Sequence, residues 1–149
     1  MKKAQTPDKY DCLRISNQIC FPLYACAKEI VRQYRKPLED LNLTYTQYIV
    51  MMVLWEYGEL TEGELGKVVR LDSGTLAPLL KRLEKQGYVN RTRPDDNERK
   101  LLISLTEEGK ALKDKALHVP CEVAGYLNLS EAELTQLKSL LDRMMLSMN

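Results

Sequence analysis

The sequence predicts a mainly α-helical protein with one small β-hairpin. Three observations predict it. Apolar residues recur at threes and fours through most of the 149 residues, the spacing of one helix face. Helix-start signals stand between those segments: Thr61 precedes Glu64 by three, and Ser130 precedes Glu133 by three. One stretch departs from this spacing, where "YVNRTR" and "KLLISLT" read as two strands flanking the charged tip "PDDNER".

The elements follow in order. Residues 1–9 are polar and are expected to be disordered. From about Asp11 to Arg35, Ile15, Ile19, Leu23, Ala27, Ile30 and Val31 give helix spacing. Pro22 lacks an N–H and would free the carbonyl of Gln18, so a kink is expected beside Cys20. Pro37 ends or bends the segment. "LNLTYTQYIVMMVLWEYGEL" is a second helix, capped by Thr44 or Thr46 and stopped at Gly58. It is apolar almost all round and should be central. Thr61 and Glu64 cap "LTEGELGKVVRL". Asp72 or Ser73 caps "DSGTLAPLLKRLEKQGYV", whose buried stripe is Leu76, Leu79, Leu80 and Leu83, with Gly87 in the C′ position. After the hairpin, Thr106 opens a helix through Lys115, Pro120 breaks or bends it, and Ser130 opens the last helix.

Composition sets the class. At 44% hydrophobic and 29% charged the chain is an ordinary globular one. No apolar run approaches the roughly 20 residues a bilayer span needs, and no secretory signal opens it, so a cytoplasmic protein without a membrane part is expected. Cys12, Cys20, Cys26 and Cys121 show no C-x-x-C spacing, and His118 is the only histidine, so no metal or other cofactor is expected. In a reducing compartment they rest as thiols. In one continuous helix, Cys20 and Cys26 would lie about 9 Å apart on nearly opposite faces, and Cys12 and Cys20 about 12 Å apart. A disulfide usually needs Cα atoms within about 7 Å. Any bridge in such a helix must therefore involve Cys121, another chain or a small thiol.

Net charge is +1, but Lys67 to Lys100 holds nine basic and five acidic residues. That local excess suits an anionic partner, and a solvated helix surface could also produce it. Two helices joined by the tight "RLDSG" turn, followed by a basic hairpin, form a helix-turn-helix with a wing. Ser73, Gly74, Thr75, Pro78, Lys81 and Arg82 lie on its second helix. A helix N-terminus suits phosphate, and short hydroxyl side chains can reach base edges in a major groove. Arg91, Arg93 and Arg99 lie on the hairpin, where a narrow arm can follow phosphates or enter a minor groove. The same geometry also occurs in bundles that bind no nucleic acid, with Ser73 a mere cap.

At this point the strings "NQICFPLYA", "LTYTQYIVMMVLWE", "LDSGTLAPLLKRLEKQG" and "ERKLLISLTEEG" become recognisable. From Asn17 to the C-terminus the chain resembles the MarR family of winged-helix repressors, in its organic-hydroperoxide-sensing (OhrR-like) branch. The resemblance implies a homodimer on a pseudo-palindromic double-stranded DNA operator, one winged domain per half-site. Dimerisation helices are expected at about 11–40 and 107–149 and the winged helix-turn-helix at 44–105. It implies a repressor, not an enzyme, that releases DNA when organic hydroperoxide oxidises a thiol.

By position, Cys20 matches the family's reactive thiol, and Tyr34 and Tyr45 match the two tyrosines that hydrogen-bond it, one from the partner subunit. Peroxide attack requires thiolate, and an unperturbed thiol near 8.5 is only a few per cent ionised at neutral pH. On spacing alone, Cys20 also fits an inert core thiol with aromatic neighbours. Some members of the branch resolve the sulfenic acid with a second cysteine across the dimer, and Cys121 lies in that region. Others use a small thiol. Cys26 is expected to fill core, and Cys12 to lie at a frayed start. The chain departs from the family at Asn97, where an acidic residue usually orients the arginine matching Arg99. Two rivals remain: release by a small aromatic anion, and a thiol peroxidase, for which no histidine near Cys20 offers a base.

Overall fold

The computed structural model describes residues 8–95, 97 and 100–148. The polar start assigned to residues 1–9 falls mostly outside them, as does Arg99 at the wing tip. The described chain opens with two 3-10 turns, Asp11–Leu13 and Ile15–Asn17, then runs α1 (Cys20–Gln33), α2 (Arg35–Glu39) and α3 (Tyr45–Tyr57). Strand β1 (Leu60–Thr61), α4 (Glu62–Val69), α5 (Ser73–Lys85), β2 (Val89–Thr92) and β3 (Leu102–Leu105) follow. Helices α6 (Glu107–Lys115), α7 (Val119–Tyr126) and α8 (Glu131–Ser147) complete it. No helix among the described residues is long and apolar enough to cross a membrane.

The first helix starts nine residues later than its periodicity suggests. Arg14 and Gln18 are extended, and side chains hold the fold-back: Asn17 Nδ2 donates to the Asp11 carbonyl at 2.8 Å, and Gln18 Nε2 to that of Cys12 at 2.5 Å. Pro22 therefore sits third in α1, where an N–H has no partner within the helix, and it starts the helix instead of kinking it. The continuous helix that set Cys12 about 12 Å from Cys20 is absent. The bend expected at Pro37 falls at Tyr34. A proline N at 37 leaves the Gln33 carbonyl without its usual donor, so α1 ends there and α2 restarts with Pro37 in its first turn.

The winged domain matches its signals closely. Thr44, rather than Thr46, caps α3 in a reciprocal box with Gln47, and the helix stops at Gly58. Thr61 and Glu64 form the box on α4, and Ser130 and Glu133 the box on α8. Asp72, rather than Ser73, caps α5: it accepts the Thr75 N–H at 2.9 Å and the Thr75 hydroxyl at 3.1 Å. Gly87 closes α5 at φ 81°, with its N–H on the Glu84 carbonyl and Tyr88 N–H on that of Leu83. The sheet has three strands in the order β1-β3-β2, not two. Leu60 and Thr61 pair with Ile103 and Leu102, a two-residue strand too short for a period-two signal.

The core gathers Val50, Met51 and Leu54 of α3 with Leu65, Leu76, Leu80, Leu83 and Ile103, all 0–1% exposed. Leu79, expected in the buried stripe, is only half-buried. Helix α6 docks through Gly109: Trp55 Nε1 donates to its carbonyl at 2.9 Å. A β-carbon at Gly109 would stand 2.0 Å from the Tyr88 carbonyl oxygen. The C-terminal helix reaches back too, the Met145 carbonyl accepting from Arg70 Nη2 at 3.0 Å.

Gly109→Ala should lower stability by about 1–3 kcal/mol, because backbone, not a flexible side chain, must move; thermal unfolding at fixed protein concentration measures it. Hydrogen bonds at the caps hold the carboxyls of Asp72, Glu64 and Glu133 below their ordinary values of 3.8, 4.5 and 4.5. A lowered folded-state value means stabilisation that is complete above the ordinary value and lost as pH falls through the folded one. The protection of the Thr75 amide, the intrinsic exchange rate divided by the observed rate at each pH, should therefore be flat from neutral pH to about 5.5 and fall below about 4, with Asp72→Asn removing that acid step.

Candidate DNA interface and thiol site

Helices α4 and α5 join through Arg70, Leu71 and Asp72. Arg70 takes the left-handed conformation, φ 54° and ψ 43°, which reverses the chain between them. Leu76, Leu80 and Leu83 bury one side of α5. At 100° per residue the opposite side carries Gly74, Pro78, Lys81 and Lys85, with Thr75 and Arg82 flanking. All six are exposed, as is Ser73 at the first turn. Thr75, however, spends its hydroxyl proton on Asp72, and the α5 N-terminus already holds the Asp72 carboxylate. The middle of α5 therefore presents freer side chains than its N-terminal N–H groups do.

Two grooves border this face. One, of about 1170 Å³, brings Arg35 and Lys36 of α2 beside Arg82 and Lys85. The other, of about 710 Å³, is bordered by Lys67, Arg70, Ser73 and Lys100. Sequence reasoning counted Lys67, Lys85 and Lys100 in the basic excess but gave them no place. It missed Arg35 and Lys36, which lie outside that window.

The wing distributes its arginines unevenly. Arg93 is exposed. Arg91 turns inward, its side chain 17% exposed and its Nη1 3.2 Å from Glu84 Oε2. Asn97 closes the turn at the hairpin end, its N–H on the Pro94 carbonyl at 3.1 Å and its own carbonyl accepting from Lys100 at 3.0 Å.

Cys20 is the first residue of α1 and is exposed, at the end of a helix where N–H groups are free and the dipole favours negative charge. Tyr34 and Tyr45 come together, ring centroids 4.5 Å apart, with Tyr48 at 5.8 Å from Tyr34. Burial raises all three phenols above their ordinary 10.0, so each keeps its proton at neutral pH. Cys20 is not among them in its own chain. Fourteen residues of helix set it about 21 Å from Tyr34.

Cys121 is exposed on α7, which packs on α1 and α2. Cys26, expected to fill core, is exposed, because no residue of α1 is buried within the chain. Cys12 is exposed as well. Among the described residues no group of three or more His, Cys, Asp or Glu is placed to hold a metal.

Comparison with known proteins places this geometry. Residues 32–116 match the family described as transcriptional regulator SarA/Rot. The chain is 46% identical over 134 residues to the organic hydroperoxide resistance transcriptional regulator of Bacillus subtilis (strain 168), covering 90% of this chain and 91% of that one. It is 47% identical over 123 residues to the HTH-type regulator SarZ of Staphylococcus aureus (strain MRSA252), 83% of each. AbfR of Staphylococcus epidermidis, reduced and bound to DNA, superposes with a TM-score of 0.80 at 30% identity over 95% of this chain and 96% of that one. The disulfide-formed AbfR superposes with 0.63 at 31% identity, over 94% and 93%. The helix-turn-helix, the three-stranded wing and these likenesses agree: the chain belongs to the MarR-type winged-helix transcriptional regulators, in their organic-hydroperoxide-resistance branch.

Proposed function

We propose that the protein is a homodimeric repressor that binds a pseudo-palindromic duplex operator and leaves it when an organic hydroperoxide oxidises Cys20. The observation that carries this reading is an exposed thiol at the first turn of a helix that buries nothing in its own chain. Helix α1 exposes Phe21, Tyr24 and Val31, with Ile19 exposed at its cap, and α8 exposes Leu137, Leu140, Met145 and Leu146. Apolar stripes of this extent call for a partner, and a second copy satisfies both helices at once.

The dimer also resolves the 21 Å gap. An antiparallel pair of α1 helices brings Cys20 of one chain to the tyrosine end of the other. Both phenols facing a thiol then belong to the partner's Tyr34 and the partner's Tyr45, in place of one from each chain. The hydroxyls of Tyr34 and Tyr45 take no partner among the described residues of their own chain, and as neutral donors they steady a thiolate. The thiolate attacks the peroxide O–O bond and becomes a sulfenic acid, and the alkoxide leaves as an alcohol after taking up a proton. The partner's Cys121 then attacks that sulfur, forming a disulfide and releasing water.

Reduced chains hold two α5 helices about one DNA turn, roughly 34 Å, apart. The disulfide shifts that spacing and costs the second half-site its avidity. The route between the two sites is short. Gln47, beside Tyr45 and Tyr48, donates through Nε2 to Gln86 at the end of α5, 3.1 Å away. That the fold lies nearer reduced AbfR than disulfide-formed AbfR supports reading this conformation as the DNA-competent one.

DNA contacts fall to Ser73, Gly74, Thr75, Pro78, Lys81, Arg82 and Arg93, with Arg99 at the wing tip. A second reading rests on the larger groove. Its four cations, Arg35, Lys36, Arg82 and Lys85, suit a small aromatic anion that would compete for the recognition helix.

A gel-shift titration with cumene hydroperoxide tests the first reading. Wild type should release DNA and form a disulfide-linked dimer by intact mass, whereas Cys20→Ser should stay bound. Equal release by both ends this reading, and release by an aromatic carboxylate in both favours the second. Lys81→Ala and Arg82→Ala should each weaken binding to every duplex alike and reduce the salt slope by about one.

A further inference from the structure

Residues 89 and 91 of a strand share one face. Val89 is buried on that face, whereas Asn90 and Thr92 are exposed on the other. Arg91 follows Val89 inward. Its Nη1 meets Glu84 Oε2 at 3.2 Å, across the Gly87 turn, in the last turn of α5. Its Nε is buried and takes no partner among the described residues. A guanidinium held in this way is turned from solvent, where a phosphate would have to reach it. It is instead a strut between the recognition helix and the wing.

We infer that Arg91 is a positioning residue for DNA binding: its ion pair with Glu84 sets the angle at which the wing leaves the recognition helix. The inference rests on the DNA-binding reading above and replaces a phosphate role for this arginine. Arg91 lies opposite Ile103, and the β2–β3 ladder ends one residue later at Thr92 and Leu102. Among the described residues beyond that point no further β2–β3 ladder pair forms, so a small rotation at the anchor is magnified outward. Arg93, exposed, stands about 7 Å further out.

The test uses duplexes selected from a random-sequence library by the reduced wild-type protein, with affinity followed against salt by fluorescence anisotropy. Glu84→Gln removes a negative charge from an exposed helix position and on charge alone would tighten binding. The proposal requires the reverse, a loss of about tenfold. Arg91→Ala should lose a similar factor. The exchange of Glu84→Arg with Arg91→Glu should return affinity to within about threefold of wild type. Binding by Glu84→Gln at or above the wild-type level, with Arg91→Ala lowering the salt slope by about one, overturns the proposal and makes Arg91 a phosphate contact. No duplex retained by wild type would overturn both the proposal and the reading beneath it.

Discussion

A helix of fixed rise is the constraint on which the functional reading depends. Fourteen residues of α1 separate the thiol from the phenols, and neither rotamers nor loop motion close about 21 Å. Everything chemical about Cys20 in isolation is modest: an exposed sulfur at a helix start. On the proposed reading its competence is supplied from another copy, which would make sensing and dimerisation one property.

The winged domain answers to different physics. Its core is continuous, and its cations are sorted by depth. Lys81, Arg82 and Lys85 are exposed along α5, Arg35 and Lys36 approach from α2, and Arg91 is withdrawn to the base of the wing. A single count of positive charge cannot separate these. Burial does, since a desolvated cation must be paired and a paired cation acts through its partner. Between the domain and the tyrosines runs a chain of amides. Thr44 N–H donates to the Gln47 side-chain Oε1, Gln47 Nε2 donates to Gln86 Oε1, and Gln86 Nε2 donates to the Asn42 main-chain carbonyl. These bonds tie the start of α3 directly to the end of α5.

Local rules were legible wherever one element decided its own ends. Thr61 with Glu64, Ser130 with Glu133, Gly58, Gly87 and the strands about the wing could all be read from side chains and spacing. Three features resisted. Periodicity extended α1 back to Asp11, because apolar residues in 3-10 turns mimic helix spacing; Pro22 as a first-turn residue was the unused clue. Strand β1 is set by its partner Ile103, far along the chain. The inward turn of Arg91 follows from alternation with Val89, a period-two signal overshadowed by its charge. For the proposed site, the resemblance nominated Cys20, Tyr34 and Tyr45, but the distance between thiol and phenols needed helix bounds.

Trp55 is the only tryptophan in the chain. Its indole N–H closes on the Gly109 carbonyl, and its own carbonyl receives Lys113 at 3.2 Å, so it stands where the winged domain meets the helix leading to α7 and α8. An indole in that position is a native optical gauge. Its emission reports the joint itself, so a single unlabelled chromophore can follow movement of α6 against the winged domain.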